Sequence, residues 1–247
     1  MNLDRVDRKG APASFAADTA CKRQVGRALH GRRCGRKLSG HRQFLLQTLL
    51  PSLTLDVSRP VADVASLFPE MPSALWLEAG FGGGEHLAAE ALAHPHAGYL
   101  GCDIFLNGIA KALALIETHR LSNIRLCNGD ARALIQALPP GCLDGAYVLY
   151  PDPWPKRRHR ARRFLSRDML AALARVLRPG AELRFATDVD SNAAWTLAQI
   201  LGSPAFSWTP SSANDWRVPW EGWSGTRYEA KALHDGRKPV YLTFRRN

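Results

Sequence analysis

Asp152 stands in the stretch YPDPWPKRRHRARRF, residues 150–164, held between Pro151 and Pro153 and followed by six basic residues within eight positions. Prolines fix their own φ and restrict the residue before them, so this carboxylate has little conformational freedom. A fixed acid of this kind stabilises positive charge that develops on a bound group. The cationic run from Lys156 to Arg163 attracts a polyanion, because clustered Lys and Arg release counterions from phosphates. Together the two features predict that an anionic partner is brought to a rigid acid.

A second chemistry is written in LEAGFGGGE (77–85), where Gly80, Gly82 and Gly84 allow a tight turn and close approach of backbone to a ligand. Asp103 follows Gly80 by 23 residues, at the spacing of an acid that accepts hydrogen bonds from the two hydroxyls of a ribose. An adenosine-type cofactor is therefore expected across the first two strand ends. The third glycine of a dinucleotide fingerprint falls at Glu85, and Glu78 stands inside the first strand end. A carboxylate there opposes a pyrophosphate but suits the ammonium of S-adenosyl-L-methionine. Asp130, in NGD (128–130), is placed for an adenine amino group. Three acids fit a cationic sulfonium cofactor better than a nicotinamide dinucleotide.

The elements that must hold these residues are legible from residue 74 onward. ALWLEA (74–79), GYLGCDI (98–104), NIRLCN (123–128), LDGAYVLY (143–150) and AELRFATD (181–188) read as buried strands. Helix-patterned segments lie between them: 84–94, 107–120, 131–138, 166–177 and 191–201. This alternation predicts a doubly wound, Rossmann-like α/β fold with a mostly parallel sheet. LRPG (177–180) is expected to end its helix through Pro and Gly. After 202 the chain reads as Trp-rich and irregular until KPVYLTFRR (238–246), a final strand, expected to be antiparallel. HRQFLLQTLL (41–50) reads as a short helix stopped by Pro51, preceded by a basic, flexible arm over 1–40.

The 247 residues bury one sizeable core, and 46% apolar with 22% charged residues is ordinary for a globular chain. The net charge of +11 is concentrated: residues 1–42 carry eleven Lys/Arg against three Asp, and residues 156–163 add six more. The remaining body is slightly acidic, a distribution that suggests nucleic acid as partner. Five cysteines form no C-x-x-C pair and leave one over, which points to reduced thiols in a cytoplasmic protein rather than to a disulfide framework or a zinc site. No stretch is long and apolar enough to span a membrane, and the first ten residues lack a signal peptide's apolar region. The scattered histidines read as helix-surface or satisfied residues, and Trp208, Trp216, Trp220 and Trp223 as packing.

PDPWPK with its basic run, LEAGFGGGE upstream and GTRYE (225–229) downstream resemble the tRNA (guanine-N7)-methyltransferase family, over about residues 31–247. The resemblance implies a class I methyltransferase fold, S-adenosyl-L-methionine as cofactor and a variable-loop guanine of tRNA as substrate. It implies that Glu78, Asp103, Asp130 and Asp152 line the cofactor site, with Asp152 also catalytic. It further implies that Lys156, Asp188, Thr226, Arg227, Tyr228 and Glu229 contact the substrate. Three positions depart from the family's pattern: Asp103 where Glu is usual, T-R-Y-E where T-K-F-E is common, and Tyr241 where Asp is frequent. No role is carried over to Tyr241.

The residues agree with that chemistry. Guanine N7 already carries an accepting lone pair, so no base is needed to unmask it, and no Ser-His or Cys-His system stands out. In-line methyl transfer mainly requires alignment. Trp154 either stacks on a base or packs. The competing readings are an adenine-directed nucleic-acid methyltransferase, whose D/N-P-P-Y/F motif differs from P-D-P-W, a nicotinamide oxidoreductase, and an RNA-binding protein that keeps the fold without catalysis.

Overall fold

The computed structural model describes residues 33–247; the first 32 residues of the arm predicted over 1–40 lie outside the described residues. Seven strands form the sheet: β1 (Leu75–Ala79), β2 (Gly98–Asp103), β3 (Ile124–Asn128), β4 (Leu143–Leu149), β5 (Leu177–Thr187), β6 (Phe206–Ser207) and β7 (Val240–Arg246). Their order is β3-β2-β1-β4-β5-β7-β6. The first five run parallel, and β7 runs antiparallel to both β5 and β6, as predicted for the last strand. Helices α1 (Gly40–Thr48) and α2 (Leu50–Leu53) precede the sheet. The others are α3 (Glu85–Ala93), α4 (Leu106–His119), α5 (Ala131–Ala137), α6 (Arg167–Val176), α7 (Asp190–Leu201), α8 (Asn214–Arg217) and α9 (Arg227–His234). No described helix is long and apolar enough to cross a membrane.

Strand residues alternate between two cores, as period two requires. Leu75, Leu77 and Ala79 pack with Leu134 and Ile135 of α5 and with Leu170 and Leu173 of α6. Tyr99, Ile124 and Leu126 pack on the other face with Leu87 of α3 and Ile109, Leu113 and Ile116 of α4. Each fully buried aliphatic chain contributes about 1.5–3 kcal/mol of transfer free energy. Trp76 and Glu78 fall on the α3 side of β1, which puts a carboxylate under the first helix after the glycine turn.

Three local expectations are corrected. LRPG does not close α6 as a coil: α6 ends at Val176 and β5 begins at Leu177, which pairs with Leu143. The buried Leu177 holds this backbone to β4, and Pro179 and Gly180 (φ +81°) loop out where the register jumps to Gly145↔Glu182. Pro51 does not end helicity either; it sits in the first turn of α2, where its missing N–H has no intrahelical partner to lose. The segment after 202 is less irregular than expected, because it contains β6, α8 and α9. A capping box starts α9: Thr226 Oγ1 accepts from Glu229 N–H at 3.1 Å and Glu229 Oε2 accepts from Thr226 N–H at 3.2 Å. In the described arm, Gly35 N–H donates to Asn107 Oδ1 at 2.6 Å and Asn107 Nδ2 donates to Arg36 carbonyl at 2.7 Å, which ties this end of the arm to α4.

Candidate active site

Parallel β1, β2, β3 and β4 end at one edge of the sheet, where open α/β folds bind ligands. Between β1 and α3, Gly80, Gly82 and Gly84 all take positive φ (83°, 60° and 78°). Only glycine adopts these values without strain. A side chain on Gly84 would also meet the Cβ of Ala112 at 2.6 Å, and one on Gly108, in the first turn of α4, would overlap the carbonyl oxygen of Gly82. The turn is thus pressed against α4 with no room for a methyl group.

Asp103 ties that turn down from β2. Its Oδ2 accepts from Gly82 N–H at 2.7 Å and its Oδ1 from Phe105 N–H at 2.8 Å. Burial pushes its carboxyl above the usual range, against the pull of these backbone donors. Gly129 N–H donates to Asp103 carbonyl at 3.1 Å, which places the β3 end alongside; there Asp130 caps α5 by accepting from Arg132 N–H at 2.9 Å. Glu78 is 3% exposed, and its Oε2 lies 2.9 Å from His86 Nδ1.

Beyond β4, the loop carrying Asp152 is strained. Tyr150 and Trp154 have φ of 47° and 41°, a region that costs non-glycine residues about 1–3 kcal/mol each. Tyr150 N–H donating to Ala186 carbonyl at 2.8 Å secures one end. Arg163 secures the other: it is 2% exposed, its Nε donates to Pro153 carbonyl at 2.7 Å and its Nη1 to Ser191 carbonyl at 2.8 Å. Its guanidinium lies 5.4 Å from the Trp195 ring. Arg163 therefore leaves the predicted phosphate-binding run and serves as an internal clamp, because two carbonyls on either side of the loop reach it first. Arg157, Arg158 and Arg160, in a 3-10 segment over Arg157–Arg162, stay exposed with Lys156, while Arg162 is half-buried. Replacing Arg163 by Leu is expected to destabilise the protein by about 1–3 kcal/mol through the loss of its carbonyl partners, read as a lowered melting temperature.

Trp154 carries Arg162 over its ring at 4.9 Å and His159 at its edge at 5.9 Å, so its faces are partly occupied within the loop. Asp152 makes no hydrogen bond or ion pair among the described residues; it is exposed, yet surrounding protein desolvates it enough to raise its carboxyl. Leu149, three residues before it, lines the same cavity as Glu78, Gly80, Thr226, Arg227 and Tyr228.

A family model described as "Putative methyltransferase" matches residues 72–242. A tRNA (guanine-N(7)-)-methyltransferase of Rhodopseudomonas palustris (strain BisB5) is 51% identical over 217 residues, covering 87% of this chain and 85% of that protein. One of Azorhizobium caulinodans is 50% identical over 219 residues, covering 89% and 95%. The chain belongs to the tRNA (guanine-N7)-methyltransferase family. Its fold is the class I methyltransferase fold: the crystal structure of the 16S rRNA methyltransferase KamB aligns with a TM-score of 0.52 at 19% identity, over 71% of this chain and 89% of that one.

Of the residues predicted for this methyltransferase's site, Glu78, Gly80, Thr226, Arg227 and Tyr228 meet at one cavity, and Gly82 and Asp103 are bonded beneath it. Arg227 and Tyr228 lie over Gly82, with Arg227 Nη2 donating to Tyr228 Oη at 3.0 Å. Glu229 is directed elsewhere: besides capping α9 it accepts from Trp223 Nε1 at 2.7 Å and from the hydroxyl of Tyr241, which is 4% exposed. Asp188 is ion-paired with Arg237, which also reaches Asp235 at 2.9 Å. Neither acid lines the cavity with Thr226. His86, Gly108, Arg163 and Tyr241 escaped the sequence reading. His86 and Gly108 lie in no motif, Arg163 was read only as one of the phosphate-binding cations, and Tyr241 carried a signal as a departure from the family's pattern.

Proposed function

We propose that the methyltransferase transfers a methyl group from S-adenosyl-L-methionine to N7 of a guanine in the variable loop of tRNA. The observation that supports this reading is the strained, doubly anchored loop that carries Asp152, which follows Leu149 at the lining of a glycine-and-acid pocket and precedes a basic turn. The pocket suits the cofactor: a glycine cradle admits backbone approach, and its acids offer acceptors to an ammonium, a ribose and an amino group without a counter-charge for a pyrophosphate. When bound, the cofactor supplies a methyl on a sulfonium. Glu78 binds the ammonium, Asp103 the ribose while holding the glycine turn, and Asp130 the adenine amino group.

Guanine N7 needs no proton removed, so the chain's own task is alignment and charge compensation. Asp152 compensates the positive charge that the purine gains, and its partial desolvation strengthens that interaction. Lys156 and the exposed arginines after it hold phosphates; Thr226, Arg227 and Tyr228 close over the pocket from α9 and meet the substrate. Asp188 and Glu229 act on the substrate side through the partners they already hold. The domain spans 41–247, preceded by the basic arm of 1–40, and the protein works in the cytoplasm, where its buried thiols stay reduced.

Incubation with unmodified tRNA and methyl-labelled cofactor, followed by digestion and nucleoside identification, tests the reading: label in 7-methylguanosine supports it, and label in a methylated adenosine or none at all overturns it. Neutralising Arg157, Arg158 and Arg160 together is expected to weaken tRNA binding and to lower its salt slope by about 2–3. Filter binding at several salt concentrations measures this, and an unchanged slope removes these residues from the interface.

A further inference from the structure

The cavity's deepest acid is not alone. His86, in the first turn of α3, is 2% exposed and faces Glu78 across 2.9 Å through Nδ1. Its Nε2 makes no hydrogen bond and points toward Glu90 Oε1 at 3.8 Å. Four charged or titratable side chains surround the ring: Glu78 from β1, Glu90 from α3 itself, Tyr147 from β4 at 4.7 Å between ring centres, and Arg184 from β5. Trp223 packs on it at 4.8 Å. Arg184 is in turn held by Glu182 at 2.9 Å and donates to Tyr147 Oη at 3.2 Å, and Tyr147 donates to Glu90 at 2.9 Å. Two carboxylates therefore flank one imidazole, and a single remote guanidinium opposes it.

We propose that His86, protonated between Glu78 and Glu90, is the built-in counter-ion of Glu78, and that the ammonium of the arriving methyl donor takes over that place and expels the imidazole proton to solvent. The inference rests on the cofactor reading above and deepens it. Burial alone disfavours the imidazolium, but Glu78 first and Glu90 second outweigh it, so the ring's affinity for a proton is raised. A second cation on Glu78 removes most of that advantage, because one carboxylate then serves two positive charges. His86 thus keeps Glu78 from standing as an unpaired buried carboxylate in the empty site, a costly state. It also makes cofactor affinity rise with pH through the imidazole's ligand-free value, since binding releases a proton there. In the ligand-free protein the sign is opposite. The raised value means that His86 contributes stability below about pH 6.5, which is lost as pH rises through its folded value.

Titration calorimetry with S-adenosylhomocysteine, which keeps the ammonium, in buffers of different ionisation enthalpy counts the protons exchanged. The wild type is expected to release on the order of one proton more than His86→Asn, which keeps an N–H toward Glu78 but carries no charge. The amine's own titration is common to both and cancels in the difference. 5′-Methylthioadenosine, which lacks the ammonium, is expected to show no such difference. Nitrogen NMR of the histidine rings provides the second arm without a variant: at about pH 6, below the ordinary imidazole value, His86 is expected to be protonated in the ligand-free protein and to lose that proton once S-adenosylhomocysteine is bound. Binding with equal proton release in wild type and variant, or a His86 ring that keeps its protonation state, overturns the inference alone. Failure of S-adenosylhomocysteine to bind overturns the cofactor reading and this inference with it.

Discussion

Asp152→Ala is expected to lower single-turnover methylation by about a hundred- to a thousand-fold, the range seen when one preorganised electrostatic group is removed. tRNA affinity is expected to stay nearly unchanged, because the phosphate-binding charges lie on the following turn. The fold should not suffer either. Asp152 has no hydrogen bond or ion pair among the described residues, and its raised carboxyl means that the ionised form is held at a cost at neutral pH. The same shift makes a pH prediction. Turnover that needs the carboxylate falls as pH drops through a value above the ordinary aspartate range of about 3.9. Rapid-quench methylation at saturating cofactor measures both; a variant as fast as the wild type would falsify the catalytic role.

Gly108→Ala carries the second large effect, at a distance from the chemistry. The added methyl would overlap the carbonyl oxygen of Gly82; that oxygen belongs to the backbone and a Cβ has no torsion that moves it, so neither can rotate away. Either α4 or the glycine turn must shift. Overpacking of this sort costs about 1–3 kcal/mol. If the turn yields, the loss appears as about 5- to 150-fold weaker cofactor binding, measured by calorimetry. If α4 yields, it appears in the melting temperature instead. A variant that binds S-adenosylhomocysteine and melts like the wild type would show that the packing of α4 on the turn is loose.

Much of the scaffold was readable before any coordinates. The strands at 74–79, 98–104, 123–128 and 143–150 emerge within a residue or two because each is a short apolar run between helix-patterned segments, and burial on both faces leaves no other use for such a run. Where local signals competed with packing, packing won. Pro179 and Gly180 looked like a helix stop, but pairing of Leu177 with Leu143 drew them into β5. RYEAKALH looked irregular, but the Thr226–Glu229 capping box and the buried Ala232 make it a helix.

The site divides the same way. The glycine turn, the acids at strand ends and the P-D-P-W loop were legible in the sequence itself, because residue type and distance along the chain put them at the ends of the strands. The partners of those residues are a matter of tertiary structure. His86 meets Glu78 because β1 alternation turns the acid toward α3, and Arg163 leaves a mostly exposed run of cations because a carbonyl of its own loop and one from the first turn of α7 converge on it. Charge and periodicity are properties of a segment. Which carboxylate a buried cation neutralises depends on how helices pack across the sheet, and only the folded chain decides it.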